Sequence, residues 1–453
     1  MSDSEQSDRI KILICGYSAD NHTSFGSQIR EVWTRLLRTG KYEVVQQGWF
    51  KMKEIEPVPW NIVPTNTNFD PQGTKKPIEQ DKWGAQSFPG LVHQLKPDLV
   101  WTLADTYMIE HMGFLKNQLN YRYVQYMPID GTPTPPRYEK IINAADLNIV
   151  CSEFGADAVE DLTGRRPAMI YHGVDSNIFH PYAEEKKKSL RLNVSDQIEN
   201  SFIIGWVGKD QTRKNPWNLF ESIYYLKTGN YIECNSCNRV TRGSYNRQKR
   251  MLHSIPSSCK YCRSEDISMG KPIEEVKLWM HAYNQPNIGW DFNLHRDIWG
   301  LGDTVIFTTK LTQEDGLKTA EMSDLYNMFD VFVSLSGGEG FGIPLIEAQA
   351  CGVPVVYTNY SGQAEICTEG GLPVDCELYP EPMSSIDRGY IDINDGIQQM
   401  LSLYRDKKLY SKLSTQGRMD VLSRFDHDIL ATEHHELIMK TMSSPKKMIG
   451  VSV

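Results

Sequence analysis

The stretch SLSGGEGFGIPLIEAQACGVPVVYTNYSGQAE, residues 334–365, reads as a strand end, a glycine-rich loop, a short helix, a stop and a new strand. Val331, Phe332 and Val333 complete an apolar β run before it. Gly337, Gly338, Gly340 and Gly342 then let the backbone fold tightly around a bound group. Pro344 stands where the first helical turn favours proline, and Gly352 stands where a helix ends. Glu339 lies in the loop and Glu347 about one turn into the helix. The open N–H groups and positive dipole of such a helix start favour an anionic phosphate. A lone carboxylate there could serve as a cap. Two glutamates with seven residues between them, across a glycine loop, point to one ligand gripped at two places.

Around this stretch, the 453-residue chain is long enough for two domains with full cores. Its 40% hydrophobic and 23% charged residues are those of an ordinary globular protein. The opening MSDSEQSDR is polar and is no signal peptide, and no run of about 18 apolar residues offers a membrane span. A net charge of −9 gives no general attraction to nucleic acid or anionic lipid. Nine cysteines, an odd number without a secretion signal, argue against a disulfide framework. The expectation is a cytoplasmic protein.

Both halves alternate β-like and helical segments, the pattern of α/β domains with mostly parallel sheets. In the first half Ile10–Cys15, Tyr42–Val45, Asp98–Leu103, Tyr121–Met127 and Leu147–Cys151 read as strands. Ile29, Val32, Trp33, Leu36 and Leu37 recur at helical spacing, and Gly40 stops that helix. Residues 51–85 read as a long polar loop. The charged run Glu184–Arg191 fits a solvated linker or helix start. A second series follows from Phe202 (FIIGWVG) through Glu275–Ala282, Thr304–Thr308, Val331–Ser334 and Val353–Thr358. A last helix is expected near Ile429–Met442. Ligands of such sheets bind beyond the carboxyl ends of the strands.

The stretch quoted first resembles the signature of the retaining family 4 glycosyltransferases (glycosyl transferases group 1). It has a glutamate, Gly-Phe-Gly-Ile-Pro, a second glutamate, Ala-Cys-Gly-Val-Pro-Val-Val and Ser-Gly-Gln-Ala-Glu. The resemblance implies the GT-B fold, two Rossmann-like doubly wound domains facing each other across a cleft. An acceptor-side domain would take residues 1–185, closing with YHGVDSNIFHP, and a donor domain residues 186–428. Residues 429–453 would return to the first domain. The resemblance implies a nucleotide-diphosphate sugar as donor, with Glu339 facing the transferring sugar and Glu347 holding the ribose hydroxyls. Gly340, Phe341, Gly342, Ile343 and Leu345 would complete the donor loop.

The family usually carries an arginine after the strand glycine and a lysine some five residues on, both on the diphosphate. Lys214 fits the second position. Lys209 at the first is a departure, with Arg213 able to supply the missing guanidinium. Gly26 lies where the family has a small-residue loop near the diphosphate, and Lys310 and Leu311 where backbone groups hold the nucleobase. Asp105 and Asp130 follow strands on the acceptor side, though the Asp-Gly pair at 130 also reads as a turn. Many relatives have a histidine near Asp130, and that role is not carried over. His172 reads as structural. Positive side chains or a metal can stabilise the departing diphosphate; no catalytic metal is expected, and the resemblance implies that the donor phosphate itself takes the acceptor proton.

Within the second β/α series, between a helix ending near Gly229 and the strand starting near Glu275, stand Cys234 and Cys237, then Cys259 and Cys262, in a segment (231–268) that the family does not require. Two CxxC pairs satisfy tetrahedral Zn2+ with no open position, the mark of a structural zinc ribbon; iron suits the same four sulfurs. From Cys234 to Arg263 there are seven basic residues (Arg239, Arg242, Arg247, Lys249, Arg250, Lys260, Arg263) and no acidic one. Such a module could meet nucleic acid or another anionic surface, or be only a solvated knob or dimer contact. The acceptor is therefore left open between a modified base in nucleic acid and a small sugar, a glycan, a lipid-linked or a protein acceptor. A sugar phosphorylase of similar fold and a nucleic-acid-binding protein on a degenerate scaffold are the rival readings.

Overall fold

The computed structural model describes residues 9–50, 56–65, 81, 83–282, 290–308, 316–382 and 384–447. The chain forms two compact units, one of residues 1–175, 314–318 and 424–453, the other of residues 176–313 and 319–423.

The first unit is built on seven parallel strands: β1 (Ile10–Tyr17), β2 (Tyr42–Trp49), β3 (Asn61–Pro64), β4 (Leu99–Leu103), β5 (Arg122–Met127), β6 (Leu147–Val150) and β7 (Ala168–Met169), in the order β3-β2-β1-β4-β5-β6-β7. The central strands are covered on both faces and so read as unbroken apolar runs; all five residues of β4 (LVWTL) are buried. The polar loop expected over 51–85 contains β3, which joins the sheet edge beside β2. Its four residues, NIVP, are too short to signal a strand, and an edge tolerates Pro64 because one N–H row needs no partner.

The helix Ser24–Leu37 begins at Thr23, whose hydroxyl accepts from the Gly26 N–H at 3.1 Å. It buries Ile29, Val32, Trp33 and Leu36, with Trp33 edge-on to Tyr42 and Trp101 at 5.8 and 5.6 Å. The helix His427–Ser443 packs in the same unit, where Asp428 accepts from Arg35 Nε at 2.6 Å. His172 is buried with Nδ1 2.8 Å from the Tyr126 hydroxyl, and burial drives its pKa down to about 3. That is the behaviour of a neutral core histidine.

In the second unit the strands are β8 (Phe202–Val207), β9 (Tyr231–Cys234), β10 (Val240–Arg242), β11 (Ser244–Asn246), β12 (Met251–Ser254), β13 (Ile267–Met269), β14 (Val276–His281), β15 (Val305–Phe307), β16 (Val331–Ser334), β17 (Val355–Thr358), β18 (Gly371–Val374), β19 (Cys376–Pro380) and β20 (Asp387–Ile391). Six of them form a parallel sheet, β15-β14-β8-β16-β17-β18. Gly205 in β8 admits the Phe329 ring, which lies 2.1 Å from where a Cβ would stand, so any side chain there would displace it. The helix Glu184–Val194 buries none of its residues, as its charge run leads one to expect.

The division between units falls at 175/176 rather than at 185/186. The segment past Asp175 is tied to the second unit by Ser323 Oγ donating to Ile178 O (2.8 Å), Asn327 Oδ1 accepting from Tyr182 N (2.8 Å) and Arg418 donating to Phe179 O (2.6 Å). These backbone ties carry no sequence signature.

Candidate functional site

The glycine loop after β16 is held from two sides. On one side lies the turn after β17. Ser361 Oγ accepts from Glu339 N at 2.9 Å, Gly362 N donates to Glu339 O at 3.0 Å, and Gln363 Nε2 donates to Ser336 O at 2.9 Å. Ser361 takes a left-handed φ of 58°, and a Cβ at Gly362 would meet Gly340 O at 2.4 Å. On the other side is the short turn Thr212–Lys214. Gly337 N donates to Arg213 O at 2.7 Å and Arg213 donates to Gly338 O at 2.6 Å.

Between these clamps the Glu339 carboxylate meets two cations. Arg213 lies 2.9 Å from Oε2 and Lys214 Nζ 2.8 Å from Oε1. Glu339 is 6% exposed. Burial alone would push its carboxyl up, but the Arg213 and Lys214 charges override that and hold it down at about 2. The group is a carboxylate at any physiological pH. The pairing of Glu339 with both Arg213 and Lys214 joins residues that the sequence could only place at separate strand ends. Lys209 is exposed just past β8; the guanidinium beside Glu339 is that of Arg213.

The helix Ile343–Ala350 starts at Gly342 (φ 108°), with Pro344 in its first turn. Gly340 and Phe341 precede it, and Ile343 and Leu345 are buried in it. Glu347 Oε2 accepts from the Tyr326 hydroxyl at 2.7 Å. Burial raises the Glu347 carboxyl to about 7, with the Tyr326 bond opposing the rise. Ser361 and Tyr326 were not singled out from the sequence. A serine in a glycine's conformation gives no local signal, and a tyrosine on the preceding helix becomes a partner only in three dimensions.

The other expected positions lie as follows. Gly26 sits in the first turn of Ser24–Leu37, where a Cβ would come within 2.5 Å of Ser18 O, so the close backbone approach itself demands glycine. Asp105 and Asp130 are half-buried past the carboxyl ends of the adjacent strands β4 and β5. The Asp105 charge adds to burial in raising the Tyr17 phenol to about 12. Lys310 and Leu311 fall outside the described residues.

Cys234, Cys237, Cys259 and Cys262 converge, with all four Sγ atoms within 4.8 Å of one another. Cys234 and Cys262 stand 3.4 Å apart, Cys237 and Cys259 3.6 Å. A tetrahedral zinc–sulfur site with bonds of about 2.3 Å has sulfur–sulfur edges of about 3.8 Å. The two CxxC turns are built alike. Asn238 N donates to Cys234 O (2.9 Å) and Arg263 N to Cys259 O (3.0 Å), and Asn238 and Arg263 both take left-handed φ values of 57° and 61°. Twin turns that aim four thiols at one point fit a closed metal site. Among the described residues no helix is long and apolar enough to cross a membrane.

Residues 297–418 match the family model of glycosyl transferases group 1, a span that holds Glu339 and Glu347 but neither Lys214 nor the two CxxC pairs. A D-inositol 3-phosphate glycosyltransferase of Paenarthrobacter aurescens is 38% identical over 233 residues, 51% of this chain and 43% of that protein. An N-acetyl-alpha-D-glucosaminyl L-malate synthase of Bacillus anthracis is 25% identical over 129 residues, 28% of this chain and 31% of that protein. The chain thus spans less than half the length of these curated relatives. Among solved structures, sucrose-phosphate synthase of Thermosynechococcus elongatus superposes with a TM-score of 0.69 at 16% identity, covering 96% of this chain and all of that one. Anabaena HepE, solved in complex with UDP and glucose, gives a TM-score of 0.64 at 14% identity, covering 95% of this chain and all of that one. The fold is therefore GT-B, with a four-cysteine insertion in the second unit and a glycosyl transferases group 1 domain around the glycine loop.

Proposed function

We propose that this chain is a retaining glycosyltransferase of family 4 that moves a sugar from a nucleotide-diphosphate sugar to an acceptor hydroxyl. The observation that carries the reading is the Glu339 carboxylate held between Arg213 and Lys214 on a glycine loop. When the donor enters, the two cations turn to its diphosphate and Glu339 is left facing the sugar. The C–O bond to the diphosphate breaks, and the leaving oxygen gathers negative charge that Arg213 and Lys214 compensate. The acceptor hydroxyl attacks on the same face and passes its proton to that phosphate oxygen. Glu339, ionised throughout, cannot donate a proton and serves by charge and hydrogen bonding to sugar hydroxyls. Glu347 receives the ribose hydroxyls, and the acceptor is assigned to Asp105 and Asp130.

The acceptor is a hydroxyl of a sugar, a glycan or another small hydroxyl compound, as the names of the inositol phosphate and malate enzymes suggest. A modified base in nucleic acid stays the second reading, on the exposed Lys249, Arg250 and Arg263 of the ribbon. Of the seven ribbon cations, Arg242 and Arg247 pair with Glu221, Lys260 pairs with Asp392, and Arg239 lies over the Tyr261 ring. The four cysteines hold a structural Zn2+, and the protein works in a reducing cytoplasm that keeps them as thiolates.

The test is a thermal-shift screen of UDP-, GDP-, ADP- and dTDP-sugars, since a ligand of the folded state raises its apparent stability. The best donor is then offered to simple glycosides and polyols, and the product's anomeric proton is read by NMR. Retained configuration with release of nucleoside diphosphate supports the reading; inversion sinks its mechanism. Sugar phosphate released only with inorganic phosphate would make the protein a phosphorylase, and no turnover with any donor would remove the enzyme.

A further inference from the structure

Two cations of the inserted ribbon reach a buried carboxylate of the neighbouring helix. Arg242 forms an ion pair with Glu221 Oε1, and Arg247 lies 3.4 Å from Oε2. Glu221 sits on the helix Pro216–Thr228, and its side chain is 3% exposed. The Arg247 guanidinium lies over the rings of Trp217 and Trp299, at 5.4 and 5.6 Å. Tyr225 of the same helix donates to Gly243 O at 2.6 Å, and the Tyr245 ring stacks on Trp299 at 4.5 Å. On its other flank the ribbon holds Asp392, which accepts from the Tyr261 hydroxyl at 2.7 Å and pairs with Lys260 at 3.2 Å. Asp392 also caps the helix Ile393–Arg405, whose Asn394 accepts from Arg242 N at 2.9 Å.

Both contacts lead to the glycine loop. The helix Pro216–Thr228 begins immediately after Arg213 and Lys214, at Asn215, which holds a left-handed φ of 44°. Asp392 follows β20, where Gly389 N donates to Gly337 O at 2.7 Å. One flank of the ribbon thus fixes the cations beside Glu339, and the other fixes the loop that carries it. The ribbon strands are three or four residues long, too short to stand without the four thiols joined.

We propose that metal held by Cys234, Cys237, Cys259 and Cys262 controls the donor grip, with Glu221, Arg242 and Arg247 as positioning residues. The inference rests on the donor role proposed for Lys214 and Glu339. Without the metal the ribbon loosens and Arg242 and Arg247 leave Glu221. A buried carboxylate that has lost its partners must draw in water or a proton. The first turns of Pro216–Thr228 then shift, carrying Arg213 and Lys214 away from their places.

The test uses the full chain with zinc bound, and the same protein stripped with a chelator under reducing conditions. Hydrogen exchange is followed by mass spectrometry, and UDP, GDP and ADP are titrated calorimetrically. Stripping should speed exchange across 212–228 and 336–340 as well as within 234–263. It should weaken the tightest-binding nucleotide about tenfold, and added zinc should restore both. Glu221→Gln, which leaves the thiols intact, should keep one zinc per chain and still weaken that nucleotide. Its effect should be less than additive with Lys214→Ala, because the two act on one grip. Faster exchange confined to 234–263, with nucleotide affinity unchanged, would overturn the proposal, as would purified protein that takes up no zinc. If none of the three nucleotides binds, the donor reading fails, while exchange over 212–228 and 336–340 still decides whether the ribbon reaches that turn.

Discussion

Glu339 and Glu221 are built alike and do different things. Each is a buried glutamate in the second unit, and each is gripped by two cations from a neighbouring segment. Around Glu221 the grip is closed. The carboxylate lies in mid-helix, and its Arg247 partner rests on two tryptophan rings. Around Glu339 the backbone is glycine on both sides, and the cations come from a three-residue turn. Buried ion pairs are weak evidence of function, since they cost desolvation wherever they occur. The surrounding backbone separates the two. Glu339 stands on a glycine loop at a strand end, where ligands of such sheets bind, and Glu221 stands in the middle of a helix beside aromatic rings.

Neutralising the two carboxylates is the sharpest way to break this comparison. Glu339→Gln should keep the fold and lower sugar transfer most of all. Loss of one charged hydrogen bond is worth about 1.5–3 kcal/mol, roughly ten- to a hundredfold in rate. A folded Gln variant with full transfer would make Glu339 no more than a second Glu221. Lys214→Ala comes next. In the role proposed for it, Lys214 faces a diphosphate charge that exists in the bound donor and grows as the bond breaks, so affinity and rate should both fall, each by roughly tenfold. If calorimetry and turnover both return wild-type values, the cation belongs to the carboxylate alone.

The backbone of this comparison was legible in the sequence, and the side-chain pairing was not. Buried parallel strands such as IKILIC and FIIGWVG announce themselves by unbroken apolar runs, because both faces are covered. The CxxC pairs announce a metal cluster because spacing alone fixes their turns. The glycine loop could be read because four glycines so near a proline-started helix serve few other ends. The destinations of Arg242, Arg247 and Lys260 could not. Counting seven cations without an acid suggests an outward basic face, but their partners Glu221 and Asp392 lie outside the counted segment. Ser361 stayed hidden because its left-handed backbone, φ 58°, is usually the mark of glycine. The short edge strand β3 stayed hidden because four residues ending in proline carry no period.

The smallest effect concerns Glu347, the carboxylate of the loop helix, whose partner is the Tyr326 hydroxyl rather than a cation. Burial raises its pKa to about 7, and the Tyr326 hydroxyl bond pulls the other way. A raised carboxyl favours the folded state below its ordinary range, and that contribution is lost as pH rises from about 4.5 through about 7. Donor binding should run in the opposite sense. Ribose hydroxyls donate best to the ionised form, and the diphosphate of a nucleotide sugar does not itself titrate near neutrality. Affinity for the best nucleotide sugar should therefore rise roughly three- to tenfold from pH 6 to pH 8. Glu347→Gln should bind more weakly and show no such slope. Tyr326→Phe removes the bond that favours the carboxylate, so its slope should move to higher pH. Glu339, held at about 2, contributes nothing to this slope. A wild-type affinity flat across that range, equal to that of Glu347→Gln, would take the ribose from Glu347 and leave Glu339 the only carboxylate of the loop with a donor to hold.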